Sequence, residues 1–291
     1  MGQEIIKLEN GIDLNVRDNN LREPVVLFLH FGSGNKHIWN GVLPYFENAF
    51  RVIAPDLRGH GKSSKPDEGY HIEDMAEDIE LLLKELDVNK YYIVGSSLGA
   101  EVGTVLAAQN PNKVKAMVCE GALYNEFGKY GLLDGTEEEI EEKIEKKISE
   151  IDKRKGEYYK SKEEYLETQK RFYQKAGLWN KYFEDYIENN ICKDEEGRYT
   201  SCYPIHVSKQ YMKNYYYFEF DKYYKDINCP VLFLPSKSEW DNEKIQETVN
   251  AFGEMAGSYE IKVLKGFPHA YGWMKMPREA AKVVMTFINK H

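Results

Sequence analysis

The sequence predicts an α/β protein with a mostly parallel, doubly wound sheet and an inserted helical cap. Apolar runs typical of buried strands alternate with amphipathic helical patterns over residues 1–122 and again over 229–291. Strands separated by helices imply right-handed crossovers and a parallel sheet. Residues 123–228 lack such runs and are rich in Lys, Glu and Tyr. We therefore expect a core made of 1–122 and 229–291, covered by a mainly helical cap, or lid, made of 123–228.

The amino-terminal part begins with a predicted hairpin, in which the favoured turn pair Asn10-Gly11 joins "EIIKLE" to "IDLNV". Four continuous apolar runs follow, of the kind that is buried on both faces of a parallel sheet: "VVLFLHF", "RVIAPDL", "YYIVG" and "KAMVCEG". The clearest helix is "HIEDMAEDIELLLKEL", whose apolar side chains share one stripe: Ile72, Met75, Ile79, Leu82 and Leu86.

Inside the insertion, Thr136 and Glu139 form a predicted capping box, and Ser161 with Glu164 marks a second helix start. The segment "CKDEEGRYTSCY" is typical of a short hairpin. After Asn228 the alternation resumes with strand "PVLFLP", helix "NEKIQETVNAF", strand "YEIKVLK" and helix "REAAKVVMTFINK". These elements complete the predicted core.

Composition limits the possible partners. The formal net charge is −9, which argues against nucleic acid and anionic membranes, because both attract Lys- and Arg-rich surfaces. The first residues show no signal-peptide pattern, and no apolar run approaches the roughly 20 residues of a membrane span.

None of the four cysteines forms a C-x-x-C pair, so we expect no zinc site. Cys192 and Cys202 could face each other across the hairpin, but we expect free thiols in a cytoplasmic protein.

The stretch "YYIVGSSLGAEVG" contains a G-x-S-x-G motif at Gly95-Ser96-Ser97-Leu98-Gly99. Small residues are needed on both sides of the serine, because the nucleophile sits on a sharp, strained turn from strand to helix. The spacing singles out Ser97 as the nucleophile. We expect Ser96 to be a small residue packed beneath the turn.

A strand, this motif and a helix in a parallel α/β chain resemble the α/β-hydrolase family. "LFLHFGSGNKHIW" resembles the oxyanion loop of that family, and "LKGFPHAYGW" resembles its catalytic-histidine loop. "APDLRGHGKSSKP" matches the family pattern D-x-R-G-x-G-x-S. The resemblance covers roughly residues 20–122 and 229–291, and the family carries its cap where the present insertion lies.

The resemblance implies a base and an oxyanion hole. His269 follows the last strand at the carboxyl edge of the sheet, where open α/β folds build their sites, and it is the implied base. The usual His-Gly of the oxyanion loop is His30-Phe31 here, followed by Gly32. The implied oxyanion donors are the amides of Leu98 and Gly32, with Phe31 as the alternative to Gly32.

Three carboxylates are candidates for the third member of a triad. The family usually ends its seventh strand in Gly-x-x-Asp, and in "VLFLPSKSEWDNEK" Glu239 takes the Asp position. Glu120 ends the strand "KAMVCEG", and some haloalkane dehalogenases of this superfamily place their acid after that strand. Asp241 is a third candidate, although its position suits a helix N-cap. We rank Glu239 first, Glu120 second and Asp241 third.

These residues predict a serine hydrolase that forms an acyl-enzyme and needs neither a metal nor another cofactor. A carboxylic ester of a small molecule is the default substrate, followed by thioesters, lactones and amides. The tyrosine-rich cap favours an apolar or aromatic substrate. Perhydrolysis and carbon–carbon bond hydrolysis use the same triad and stay open. A sensor or signalling protein with a slow or vestigial triad is the rival class. The sequence leaves the oligomeric state and the natural substrate open.

Overall fold

The computed structural model describes residues 2–291. Its strands, in chain order, are β1 (Gly2–Lys7), β2 (Asp13–Asp18), β3 (Val25–Leu29), β4 (Arg51–Pro55), β5 (Tyr91–Ser96), β6 (Val114–Glu120), β7 (Asn125–Phe127), β8 (Gly131–Leu133), β9 (Ile191–Lys193), β10 (Tyr199–Ser201), β11 (Val231–Phe233) and β12 (Tyr259–Ile261). Its helices are α1 (Ile72–Glu85), α2 (Leu98–Gln109), α3 (Glu137–Asp152), α4 (Lys162–Lys175), α5 (Lys181–Glu188), α6 (Ile205–Tyr215), α7 (Asp221–Tyr224), α8 (Lys237–Trp240), α9 (Glu243–Ala256), α10 (Gly272–Lys275) and α11 (Pro277–Ile288). No helix in this part of the chain is both long and apolar enough to cross a membrane.

Eight strands form one sheet in the order β1-β2-β4-β3-β5-β6-β11-β12. The pairs β1–β2 and β2–β4 are antiparallel, and all later neighbours are parallel. The predicted mostly parallel sheet is therefore confirmed. Because the parallel strands all run the same way, the loops after β3, β5, β6, β11 and β12 meet at one carboxyl edge.

The sheet is covered on both faces, which is why its strands are continuous apolar runs. Along β3, Val25, Leu27 and Leu29 pack into the same apolar cluster as α1, α2 and α9. Val26 and Phe28 point the other way and pack with side chains of α11. This alternation follows from the two-residue period of a strand. Packing on both faces therefore holds β3 in the middle of the protein core.

Residues 123–228, the predicted cap, contain α3 to α7 and two small sheets, β7–β8 and β9–β10. Helix α3 starts at the capping box of Thr136 and Glu139, and α4 starts at Ser161. Helix α6 lies against the carboxyl edge of the large sheet, since the Tyr211 hydroxyl donates a hydrogen bond of 2.7 Å to Glu101 of α2. The segment thus contributes side chains next to Ser97.

Two cysteines are bonded, which corrects the expectation of free thiols. Cys192 and Cys202 form a disulfide with their Cα atoms 5.0 Å apart. The physical reason is the hairpin, in which Cys192 pairs with Thr200 of β10 and the chain then brings Cys202 within disulfide range. Cys119 and Cys229 are buried free thiols, as expected.

Candidate active site

Ser97 sits on the turn between β5 and α2, with φ 48° and ψ −119°. A residue other than glycine with positive φ costs of order 1–3 kcal/mol and persists where the surrounding structure holds it. Here the two motif glycines allow the turn. A Cβ at Gly95 would lie 2.5 Å from the Ala100 Cα, and a Cβ at Gly99 would lie 2.0 Å from the Leu29 carbonyl oxygen. In the run from Tyr91 to Ala100, only Ser97 is not fully buried.

His269 lies in the loop between β12 and α10 and faces this serine. Its Nε2 atom is 3.3 Å from Ser97 Oγ. The imidazole side chain is 40% exposed, so a substrate can approach the pair. With Nε2 unprotonated, the ring can accept the proton of the serine hydroxyl, which is what activates a weak oxygen nucleophile.

Two carboxylates approach the other nitrogen of the ring. Glu120 Oε1 lies 2.8 Å from His269 Nδ1, whereas Glu239 Oε1 lies 3.3 Å from the same atom. Nδ1 carries a single proton, so the shorter contact, to Glu120, is the better placed to accept it. The structure brings both candidate acids to His269, and Glu120, ranked second from the sequence, lies closer to the ring than Glu239, ranked first.

Glu120 is held more firmly than any other acid at the site. It ends β6, is fully buried, and accepts four hydrogen bonds. Oε1 accepts from His269 Nδ1 and from the Ala270 amide, at 2.8 Å each. Oε2 accepts from Ser96 Oγ at 2.6 Å and from Trp273 Nε1 at 3.2 Å. These contacts fix the carboxylate in one orientation, with Oε1 facing His269 and Oε2 facing Ser96 and Trp273.

Glu239 and Asp241 are held differently. Glu239 is the third residue of the capping box of α8, and its Oε2 accepts a 2.8 Å hydrogen bond from the Ser236 amide. One of its oxygens is thus committed to the helix start. Asp241 ends the same helix and pairs with Lys237 at the surface, while Asn242 provides the N-cap of α9. Asp241 therefore does not reach His269.

The carboxylates control the protonation of the base. Burial alone lowers the pKa of His269, but the charges of Glu120, Glu239 and Glu101 and the hydrogen bond that the ring donates to Glu120 raise this pKa to about 9. A carboxylate stabilises the imidazolium and not the neutral ring, so each one makes the proton harder to remove. The free site therefore rests as an ion pair at neutral pH.

The raised pKa of His269 predicts that hydrolysis is fastest at alkaline pH. We expect kcat/KM for an ester to rise with pH along a single limb with its midpoint near pH 9, because only the neutral imidazole can accept the serine proton. Glu239→Gln removes one charge that stabilises the imidazolium, so it should move this limb to lower pH. Stopped-flow assays from pH 6 to 10, corrected with a Ser97→Ala blank, measure both. A wild-type limb centred at 6.5, unmoved in the variant, would contradict the assignment.

The predicted oxyanion donors are neighbours in space. His30 Nε2 accepts from the Leu57 amide at 3.0 Å, so its proton is on Nδ1, which donates to the Phe31 carbonyl at 2.8 Å. The carbonyl of Phe31 is thus fixed, and in a trans peptide the Gly32 N–H points the opposite way. A Cβ built on Gly32 would lie 3.8 Å from the Leu98 Cβ. Leu98 begins α2, where the amides have no partner within the helix.

A cavity of about 40 Å³ lies beside the serine. It is lined by Ser97, Glu101, Gly121, Ala122, Leu123, Tyr124, Tyr215, Glu239 and His269. Glu101 was not singled out from the sequence, yet it is only 5% exposed and lines this cavity. Burial raises its pKa to about 7, against the hydrogen bond from Tyr211 and the charge of His269, which lower it. One signal could have revealed it, since Glu101 is the only charged residue of α2.

The remaining described residues provide no metal centre. No group of three or more His, Cys, Asp or Glu side chains in residues 2–291 is arranged to hold a metal ion. The buried Arg58 and Asp56, which belong to the D-x-R-G-x-G-x-S segment, pair with Asp78 and Lys36. They connect the loop after β4 to the rest of the core, away from Ser97.

Comparison with known families decides the assignment. The model of the family described as alpha/beta hydrolase fold matches residues 24–187, more than half of the chain. The chain belongs to the α/β-hydrolase fold family. This α/β-hydrolase has the sheet order described above, the sharp turn between β5 and α2 that carries Ser97 (the nucleophile elbow) and the loop that carries His269.

Individual relatives of this α/β-hydrolase carry different activities. It is 37% identical over 107 residues to a 2-(acetamidomethylene)succinate hydrolase from Mesorhizobium japonicum, which is 37% of this chain and 38% of that protein. It is also 37% identical over 91 residues to a haloalkane dehalogenase from the same species, which is 31% of this chain and 29% of that protein. The matched segments thus span less than two fifths of each relative. A crystal structure of E-2-(acetamidomethylene)succinate hydrolase superposes with a TM-score of 0.76 at 21% identity over 99% of both chains.

Proposed function

We propose that the protein is a serine hydrolase that cleaves a carboxylic ester of a small molecule through an acyl-enzyme. The observation that carries the proposal is the line of contacts through one imidazole. Ser97 Oγ is 3.3 Å from His269 Nε2, and the buried Glu120 is 2.8 Å from His269 Nδ1. A nucleophile, a base and an orienting acid in this order make up the triad used for acyl transfer.

Each residue has a role in the two half-reactions. His269 takes the proton of Ser97 as the serine oxygen attacks the ester carbonyl, and it returns that proton to the departing alcohol. The amides of Leu98 and Gly32 donate to the oxygen on which negative charge develops. Glu120 holds the ring and stabilises the imidazolium. Water, deprotonated by His269, then attacks the acyl-enzyme and releases the acid and free Ser97.

The nucleophile favours a carbonyl substrate over a haloalkane. A serine oxygen that displaced a halide would form an ether, which water does not readily cleave, so the enzyme would be used once. Attack on a carbonyl instead forms an ester that the same His269 can hydrolyse. The haloalkane dehalogenase among the relatives therefore indicates common ancestry of the fold and not a common substrate.

The cavity argues against the substrate named for the 2-(acetamidomethylene)succinate hydrolase relative. A succinate derivative carries two carboxylates, which need cationic or neutral donors around them. Of the described residues that line the cavity beside Ser97, two are glutamates and none is Lys or Arg. Thioesters and lactones remain within the reach of the same triad.

The cytoplasmic location stays a prediction, against which the Cys192–Cys202 bond argues, because disulfides persist in oxidising compartments.

Turnover and covalent labelling together test the proposal. We expect steady hydrolysis of p-nitrophenyl acetate and stoichiometric labelling by a fluorophosphonate, with the label located on the peptide that contains Ser97. Heat-denatured protein gives the background for both measurements. A folded protein that neither turns over short esters nor takes up the label would overturn the proposal and would favour a sensor with an inactive triad.

A further inference from the structure

The cavity beside the nucleophile is unusually acidic for a site expected to take a neutral ester. Glu101 enters it from α2 and Glu239 from α8, while Tyr124 and Tyr215 provide aromatic walls. Within residues 2–291, the lining includes no Lys or Arg, and His269 is its one basic group. The lining therefore holds two carboxyl groups against one basic group.

Glu101 is the most telling of these residues. Its side chain is 5% exposed, and its Oε2 accepts a 2.7 Å hydrogen bond from Tyr211, which is itself buried. Its Oε1 accepts no hydrogen bond from the rest of the described chain. A carboxylate with few donors is costly to bury, and no lysine or arginine among residues 2–291 forms an ion pair with Glu101, which lines the cavity. A cation brought by a ligand would provide the missing partner.

We propose that this cavity binds a positively charged ammonium group of the substrate, held between Glu101 and Glu239 and faced by the rings of Tyr124 and Tyr215. Carboxylates form charge-assisted hydrogen bonds to a primary ammonium, and aromatic faces attract both primary and quaternary ammonium groups. The cavity is small, so it takes one end of the substrate while the ester lies at Ser97. The proposal extends the proposed function and replaces the expected apolar substrate with a cationic one.

Binding of a cation would also activate the base. The charges that act on His269 are Glu120 at the end of β6, Glu239 on α8 and Glu101 on α2, and Tyr124 and Tyr215 are the other titratable residues of the lining. A bound ammonium offsets the charges of Glu239 and Glu101, so the imidazolium is stabilised less and loses its proton at lower pH. The substrate would thereby release the general base that attacks it.

Matched ester pairs test the specificity. Acetylcholine and 3,3-dimethylbutyl acetate have the same shape and differ by one charge on the alcohol side. The p-nitrophenyl esters of β-alanine and butyric acid differ in the same way on the acyl side. We expect the cationic member of at least one pair to have a kcat/KM about tenfold or more above its neutral partner at pH 7.5. Equal rates, or faster hydrolysis of the neutral member in both pairs, would overturn the proposal.

Variants locate the effect. Glu101→Gln should reduce the cationic-to-neutral ratio of kcat/KM by about tenfold, because the amide keeps the shape but loses the charge. Glu73→Gln is the matched control, since Glu73 accepts a similar 2.6 Å hydrogen bond from a tyrosine, Tyr223, outside the cavity. Its ratio should equal that of the wild type. The acid limb of kcat should also lie at lower pH for acetylcholine than for its neutral partner, because kcat reports the enzyme–substrate complex.

A binding measurement separates this proposal from the proposed function. Calorimetric titration of Ser97→Ala with choline and with 3,3-dimethylbutan-1-ol compares the same shapes without catalysis. We expect choline to bind saturably and 3,3-dimethylbutan-1-ol not to bind. The affinity for choline should fall about tenfold in the double variant that carries Glu101→Gln as well. Choline binding by a protein that hydrolyses no ester would support the cation site and reject the hydrolase. Hydrolysis with no preference for cations and no choline binding would reject only the cation site.

Discussion

Replacing Ser97 with alanine is expected to abolish ester hydrolysis while leaving the fold intact. Alanine has no oxygen to form the acyl-enzyme, and loss of the nucleophile in a serine triad lowers kcat by about 10⁶. The fold should tolerate the change, because alanine and serine tolerate the positive φ of the elbow about equally. Initial rates with p-nitrophenyl acetate measure the loss of hydrolysis, and fluorophosphonate labelling measures the loss of the nucleophile. Thermal unfolding measures whether the fold is intact.

Ser96→Ala is the control for this prediction. Ser96 is buried and donates to Glu120 Oε2, so its loss removes one of four hydrogen bonds on the acid but none of the reacting atoms. We expect it to retain activity within about tenfold of the wild type, as for loss of one hydrogen bond to a charged group. Equal losses in the two variants would mean that the nucleophile has been placed one residue too late.

The second large effect is expected at Glu120. Glu120→Gln should lower the acylation rate by about 10³, since the comparable change in a serine protease costs about 10⁴ and Glu239 remains within reach of His269 here. The amide cannot stabilise the imidazolium, and its NH₂ group faces donors instead of accepting from them. Single-turnover acylation, followed by release of p-nitrophenol, measures the rate, and circular dichroism verifies the fold.

Glu239→Gln provides the comparison. Measured at pH 10, where the histidine is neutral in both proteins, this variant should lose no more than about tenfold, because Glu120 still orients the ring. The double variant should be slower than Glu120→Gln alone. If Glu239→Gln were the more damaging of the two single changes, the acid would be Glu239, as the position after β11 suggested.

Much of the fold follows from local pattern. The strands beneath the site are apolar on both faces, and helices α3 and α4 begin at Thr136 and Ser161, whose side chains accept from a free amide. Such signals depend only on neighbours in the chain, so a sequence displays them directly. The G-x-S-x-G spacing has the same character, because the glycines are demanded by backbone atoms of the elbow.

The choice between acids depends on contacts between distant segments. Counting along the chain puts Glu239 after β11, but the capping box draws one of its oxygens to Ser236. Glu120 gains its place because the loop carrying His269 brings the Ala270 amide and Trp273 onto it from 150 residues away. Glu101 was missed for the same reason, because Tyr211 of α6 reaches it from 110 residues away. The Cys192–Cys202 bond joins neighbours across a hairpin, and it was set aside only because free thiols were expected in a cytoplasmic protein.

The two acids at one imidazole have an evolutionary consequence. A lineage that moves its catalytic acid from one strand to another must avoid passing through an ancestor with none. In this chain both placements exist at once, 2.8 Å and 3.3 Å from the same nitrogen. If one glutamate is replaced, the other remains near the ring, so we expect the loss of either acid to lower activity without abolishing it. A protein with both glutamates in place is an intermediate arrangement between two triad layouts of one superfamily.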